Sequence, residues 1–163
     1  MVSMQVRRKL YTFVTFFTLI ASSFSTQAIT IIETTPVHFG SVFGQLGFQC
    51  VMSQFGEVGG DCDATDANIT RGTIIVTNLP RKATVEVVIT SSPNASLDYA
   101  PTAILAGAKG GTVPLTPNQP VLLEVKGNGS DFTIDIFGTL SINDDLRTSQ
   151  PYTVDYTIQV NAL

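Results

Sequence analysis

Histidine occurs once in this chain and cysteine twice, and that scarcity removes several chemistries at the outset. A catalytic nucleophile needs a base within hydrogen-bond reach. The lone histidine, His38, sits in the stretch PVHFG among apolar neighbours with no adjacent carboxylate. A zinc site wants further Cys or His ligands at short spacing, and the sequence does not supply them. No glycine-rich dinucleotide fingerprint, P-loop or HExxH motif occurs. Basic residues are few as well, nine Lys and Arg against thirteen Asp and Glu. Three of the nine, Arg7, Arg8 and Lys9, fall in the first ten residues, so the rest of the chain is more acidic than the formal net charge of −4. Such a chain repels nucleic acid and anionic lipid. The expectation is a protein that is not an enzyme, with no cofactor, no metal and no nucleic-acid partner.

Two acidic groupings qualify that expectation. Asp135, Asp144, Asp145 and Asp155 could converge as paired carboxylates of the glycosidase kind, although they occupy polar strand and turn positions where solvated carboxylates are ordinary. The run DCDATD sets Asp61, Asp63 and Asp66 in an acidic loop, residues 61–66, where a hard cation such as calcium would look for oxygen ligands. Its spacing completes no EF-hand pattern, and a hydrated loop is the plainer reading.

What the chain does have begins with a leader. Basic residues 7–9 precede an apolar run over residues 10–21, then small polar residues with Thr26 and Ala28 at the −3 and −1 positions of a cleavage point. That is the pattern of a secretory signal peptide. A transmembrane anchor would need about 20 apolar residues, and here the core is shorter and broken by Thr12, Thr15 and Thr18. The expected organisation is a signal peptide over residues 1–28 and one domain over residues 29–163, with no stable membrane insertion once the leader is removed. Both cysteines, Cys50 and Cys62, lie in the exported part, and an even count in an oxidising compartment favours a disulfide between them. Closing a loop of that length restricts the unfolded chain by about 3 kcal/mol.

After Ala28 no stretch of ten or more residues shows the apolar period of a helix, whereas alternation with period two recurs. In ATVEVVIT, Ala83, Val85, Val87 and Ile89 share a face. In DFTIDIFGTLSI the inward set is Phe132, Ile134, Ile136, Gly138, Leu140 and Ile142. The ending PYTVDYTIQVNAL places Tyr152, Val154, Tyr156, Ile158 and Val160 on one side. Shorter strands are expected over residues 29–34, 37–43, 73–77 and 121–126. Turn signals such as NLPRK, SSPN, GAKGG, TPNQP and KGNGS separate them. The fold class is therefore all-β, an antiparallel sandwich of seven to nine strands. Residues 44–72 depart from the alternation. They are rich in glycine, acidic toward their end, and hold the cysteine pair, which reads as a large loop or a short stapled hairpin at one end of the sandwich.

Two pieces of the chain carry a resemblance: VHFGSV early on, and FTIDIFGTLSINDDLRTSQPYTVDYTIQVNAL late. They resemble the bacterial exported domains of unknown function called DUF4402, related to spore coat U and to pilin-like subunits of the chaperone-usher type. The matching positions are Phe39 and Gly40, then Gly138, Thr139 and Leu140, then Tyr152, Tyr156, Ile158 and Val160. ATVEVVIT and NASL also resemble the family's central strand and turn. SQPY stands in place of the usual Gly-x-Tyr lead-in, and the stapled 44–72 segment is not typical of the family. The resemblance implies an immunoglobulin-like or pilin-like sandwich exported through the periplasm of a Gram-negative bacterium to the cell surface or beyond. It implies a structural subunit of a fimbria-like appendage or coat, whose partners are other subunits or a periplasmic chaperone that covers an unpaired strand edge. The segment ITIIETTP would then be the donor strand, with Ile29 and Ile31 as its anchors before Pro36. A self-complete sandwich of the same lineage stays open beside the polymerising subunit. So does a stand-alone secreted or periplasmic module whose 44–72 segment binds a glycan or a protein.

Overall fold

A computed structural model of the chain describes residues 28–92, 95–107, 111–125, 131–147, 152 and 155–163. Residues 1–27, on which the leader reading falls, and Val154 lie outside the described residues. The described part holds ten strands in two antiparallel sheets and no helix. The all-β expectation therefore stands. The ten include two three-residue strands, β3 (Val58–Gly60) and β7 (Val113–Leu115), too short for alternation to announce.

The larger sheet is built around β9 (Phe132–Ile142), whose residues alternate between buried and half-buried along its whole length. Phe132, Ile134, Ile136, Gly138, Leu140 and Ile142 all point inward, as period two requires. Along one edge β9 pairs over nearly its full length with β6 (Leu97–Ala106). Its other edge is shared. There β4 (Gly72–Thr77) takes the residues from Phe132 to Ile136, and β2 (Gln49–Met52) takes those from Gly138 to Ser141. Outside these lie β1 (Thr30–Thr35) on β4, β3 on β2, and β7 on β6. The smaller sheet has three strands, with β5 (Thr84–Ser92) between β8 (Val121–Glu124) and β10 (Asp155–Ala162).

The small sheet covers only part of the large one, and the core divides accordingly. One cluster, with Val76, Val85, Val87, Ile89, Leu105 and Ile134 at 0% exposure, fills the space where the two sheets overlap. Each such side chain is worth about 1.5 to 3 kcal/mol through the surface it removes from water. A second cluster of Cys50, Met52, Leu97, Tyr99, Leu140 and Ile142 is reached from the small sheet, among the described residues, only by Tyr156 of β10. It is otherwise roofed by Phe39, Val42 and Phe48 from the segment between β1 and β2, and by Leu146 after β9.

That roofing segment corrects one expectation. Residues 37–43 form no strand; they make two isolated bridges, His38 with Thr70 and Val42 with Cys62. The interruption is Gly40, at φ +72°, where a Cβ would stand 2.8 Å from the Cβ of Asp66. An L side chain neither favours that backbone nor fits that space. The last strand likewise begins later than alternation indicates. Tyr152 precedes β10, with 40% of its surface exposed, while Tyr156, Ile158 and Val160 keep the inward phase, half-buried against the first cluster.

Cys50 and Cys62 are disulfide-bonded, with Cα atoms 5.4 Å apart, and β2 and β3 form the stapled hairpin within residues 44–72. β6 had no counterpart in the alternation reading, because Pro101 sits in it. The proline is tolerated because β7 pairs only Ala103 to Leu105, so on that side of Pro101 there is no ladder to interrupt.

Candidate functional site

β10 is an edge strand. Within the described residues it pairs with β5 on one side alone, in unbroken register from Asp155↔Ser92 to Ala162↔Val85. β1 is the corresponding edge of the large sheet. Cross-strand partners share a face, so Ile31 and Glu33, opposite the buried Val76 and Ile74, belong to the inner face of β1. Ile31 is nevertheless 41% exposed. The two edges flank a groove of about 580 Å³. Ile74, Leu97 and Leu140 of the large sheet line it, as do Tyr156 and Ile158 of β10 and Val37, Val42 and Leu146 of the roofing segments.

One hydrogen bond crosses the mouth: the Tyr156 hydroxyl donates to Glu33 Oε1 at 2.5 Å. Tyr156 packs edge-on against Tyr99, with ring centroids 6.2 Å apart, and Tyr99 against Phe39 at 5.7 Å. Such edge-to-face contacts suit the ring quadrupoles. The Tyr99 hydroxyl, inside the second core, donates to the Phe137 carbonyl at 2.9 Å. Burial pushes both phenols above their usual range, and for Tyr156 the bond to Glu33 pushes the same way.

The positions named from the sequence divide cleanly. Ile31, Phe39, Gly40 and Leu140, together with Tyr152, Tyr156 and Ile158, line the groove, although they come from three distant parts of the chain. Val160 and Ile29 pack instead against the first core. Gly138 and Thr139 lie within β9, and the cysteine pair is in the second core. Tyr152 contributes its hydroxyl as acceptor for the Arg147 N–H, at 2.8 Å. Glu33 escaped the sequence reading, yet its signal was present: in ITIIETT it keeps the phase of Ile31, a carboxylate among inward positions. Leu97 and Tyr99 escaped it along with the rest of β6.

The acidic groupings are engaged locally. Asp61 accepts from the Gln49 N–H at 2.9 Å, Asp63 from Thr65, and Asp66 from the Ser41 N–H and hydroxyl and from the Asn68 N–H. Those bonds stabilise the charged carboxylates, so Asp63 is held below its usual range, chiefly by the Thr65 hydroxyl. Asp66 is lowered to about 2, chiefly by the Ser41 hydroxyl and then by the Asn68 N–H. Among the described residues no three His, Cys, Asp or Glu side chains gather as metal ligands would. Asp135 pairs with Arg71 at 3.3 Å, Asp145 accepts from the Leu46 N–H, and Asp144 from the Asp145 N–H. Asp155 lines the groove. No helix among the described residues is long and apolar enough to cross a membrane.

Compared with known families and curated proteins, the chain matches no family model and no curated sequence. What the site offers is geometric: a strand edge open among the described residues, beside an apolar groove whose two formally charged lining residues are acidic.

Proposed function

We propose that this chain is a non-catalytic structural subunit of a bacterial surface appendage or coat, exported through the periplasm of a Gram-negative cell and assembled by pairing of β-strands. The observation that carries the reading is the open edge of β10 beside the apolar groove. An edge strand presents a row of free N–H and C=O groups. Next to an apolar groove, such an edge takes an extended segment whose backbone extends the sheet and whose alternate side chains fill the pockets. The resemblance to DUF4402 and pilin-like domains supports the same reading, since seven of its matching and donor positions line the groove. The signal-peptide pattern and the disulfide fit an oxidising compartment.

A second reading, a stand-alone exported module binding a glycan or protein, draws support from the stapled segment, where Leu46 and Phe55 are 64% and 76% exposed. Assembly separates the two. Ile31→Asp puts a charge into the groove at a half-exposed position. It is expected to leave the melting temperature within a few degrees of the parent while removing the chain from high-molecular-weight material sheared from cells that export it. A parent chain that stays monomeric and folded in periplasm and shear fraction alike would sink the subunit reading and favour the module.

A further inference from the structure

Two residues with formal charge line the groove, Glu33 and Asp155, and both are acidic. No lysine or arginine among the described residues lines it, and the undescribed positions 148–151 and 153–154 carry no charged residue in the sequence. His38, also on the rim, has its Nδ1 occupied as acceptor for the Gly40 N–H at 3.0 Å. Among the described residues the Glu33 carboxylate meets a single partner, the neutral Tyr156 hydroxyl. A carboxylate beside an apolar surface, held by a neutral donor, is poised to exchange that donor for a cation.

We propose that the groove selects an extended segment of a different protein, one that carries a lysine or arginine among alternating apolar residues and brings that cation to Glu33 and Asp155. The proposal rests on the strand-acceptor reading above and adds who the partner is. The open β10 edge calls for an extended backbone, and the apolar lining calls for alternating side chains. The rim charges call for a base. They also work against a second copy of this chain as donor. Its β1, TIIETT, would bring the carboxylate of another Glu33 to a groove whose charged lining residues are both acidic. Like charges brought together at an interface suppress that pairing.

The test uses the full exported chain and fluorescein-labelled synthetic peptides of alternating valine and threonine, as long as the eight residues of β10. One central position is lysine, glutamine or glutamate, and a fourth peptide contains TIIETT. Fluorescence anisotropy is expected to rank lysine about fivefold tighter than glutamine, the factor that about 1 kcal/mol of ion pairing supplies. Glutamate and TIIETT should bind weakest. Glu33→Gln should erase the lysine advantage while leaving the glutamine peptide unchanged, and Asp155→Asn should reduce it. Equal binding of the lysine and glutamate peptides overturns the charge selection but leaves the strand acceptor standing. TIIETT binding as tightly as the lysine peptide makes a second copy the occupant and overturns the proposal. Failure of every peptide to bind overturns both readings together.

Discussion

Gly138 lies in the middle of the longest strand, at φ +141°, and a Cβ there would stand 2.2 Å from the Ala100 carbonyl oxygen. The neighbouring strand β6 approaches so closely, opposite Pro101, that no side chain fits. Gly138→Ala therefore forces either the backbone or the β6–β9 ladder to move. It is expected to cost about 2 to 4 kcal/mol, read as a lower urea midpoint at unchanged slope. Asp66 shows the opposite situation, a half-buried polar residue with a defined task. Its carboxylate ties Ser41 of the roofing segment to the stapled loop. Because its folded pKa is lowered from 3.8 to about 2, the tie is complete above the ordinary carboxyl range and fails as pH falls through about 2. NMR titration of the Asp66 carboxyl carbon should give a midpoint near that value, and Ser41→Ala should move it upward. A wild-type midpoint at the ordinary value would mean that Ser41 and Asp66 are not joined in solution.

Among the elements, the stapled hairpin has the least regular structure to hold it. β3 has three residues, and β2 has four. Replacing both Cys50 and Cys62 by alanine is expected to cost about 2 to 5 kcal/mol. Non-reducing mass spectrometry of the parent should find no free thiol. Much of this level was legible in the sequence: β4, β5, β9 and most of β10 keep an apolar residue or glycine at nearly every second position, and the cysteine pair announces its own bond. The rest was hidden for identifiable reasons. Pro101 disguised β6 because a proline argues against a paired strand unless one edge is free, and edges are decided by tertiary neighbours. The broken 37–43 segment alternates well enough, but Gly40 must turn left-handed to pass Asp66 and Ile69. The groove could not be read at all, since Ile31, Leu140 and Tyr156 share a surface only after the two sheets have packed together.

At the scale of the whole molecule, β9 joins everything in the large sheet. β1 can meet β4, β2 can meet β3, and β6 can meet β7 without it, but these pairs connect to one another only through its two edges. Its partners begin as far back as Gln49, and its own last paired residue is Ile142. Contacts so distant in sequence make folding slow, in the range of about milliseconds to seconds, which stopped-flow refolding can measure. A chain cut after Val125 keeps eight of the ten strands yet should give an undispersed amide NMR spectrum; a folded truncated product would show that β9 is dispensable. During synthesis the apolar strands β4 and β6 emerge well before the strand that unites them. The interval is one in which the chain is adhesive and unprotected, so the order of its strands sets how long it stays open to misassembly before β9 arrives.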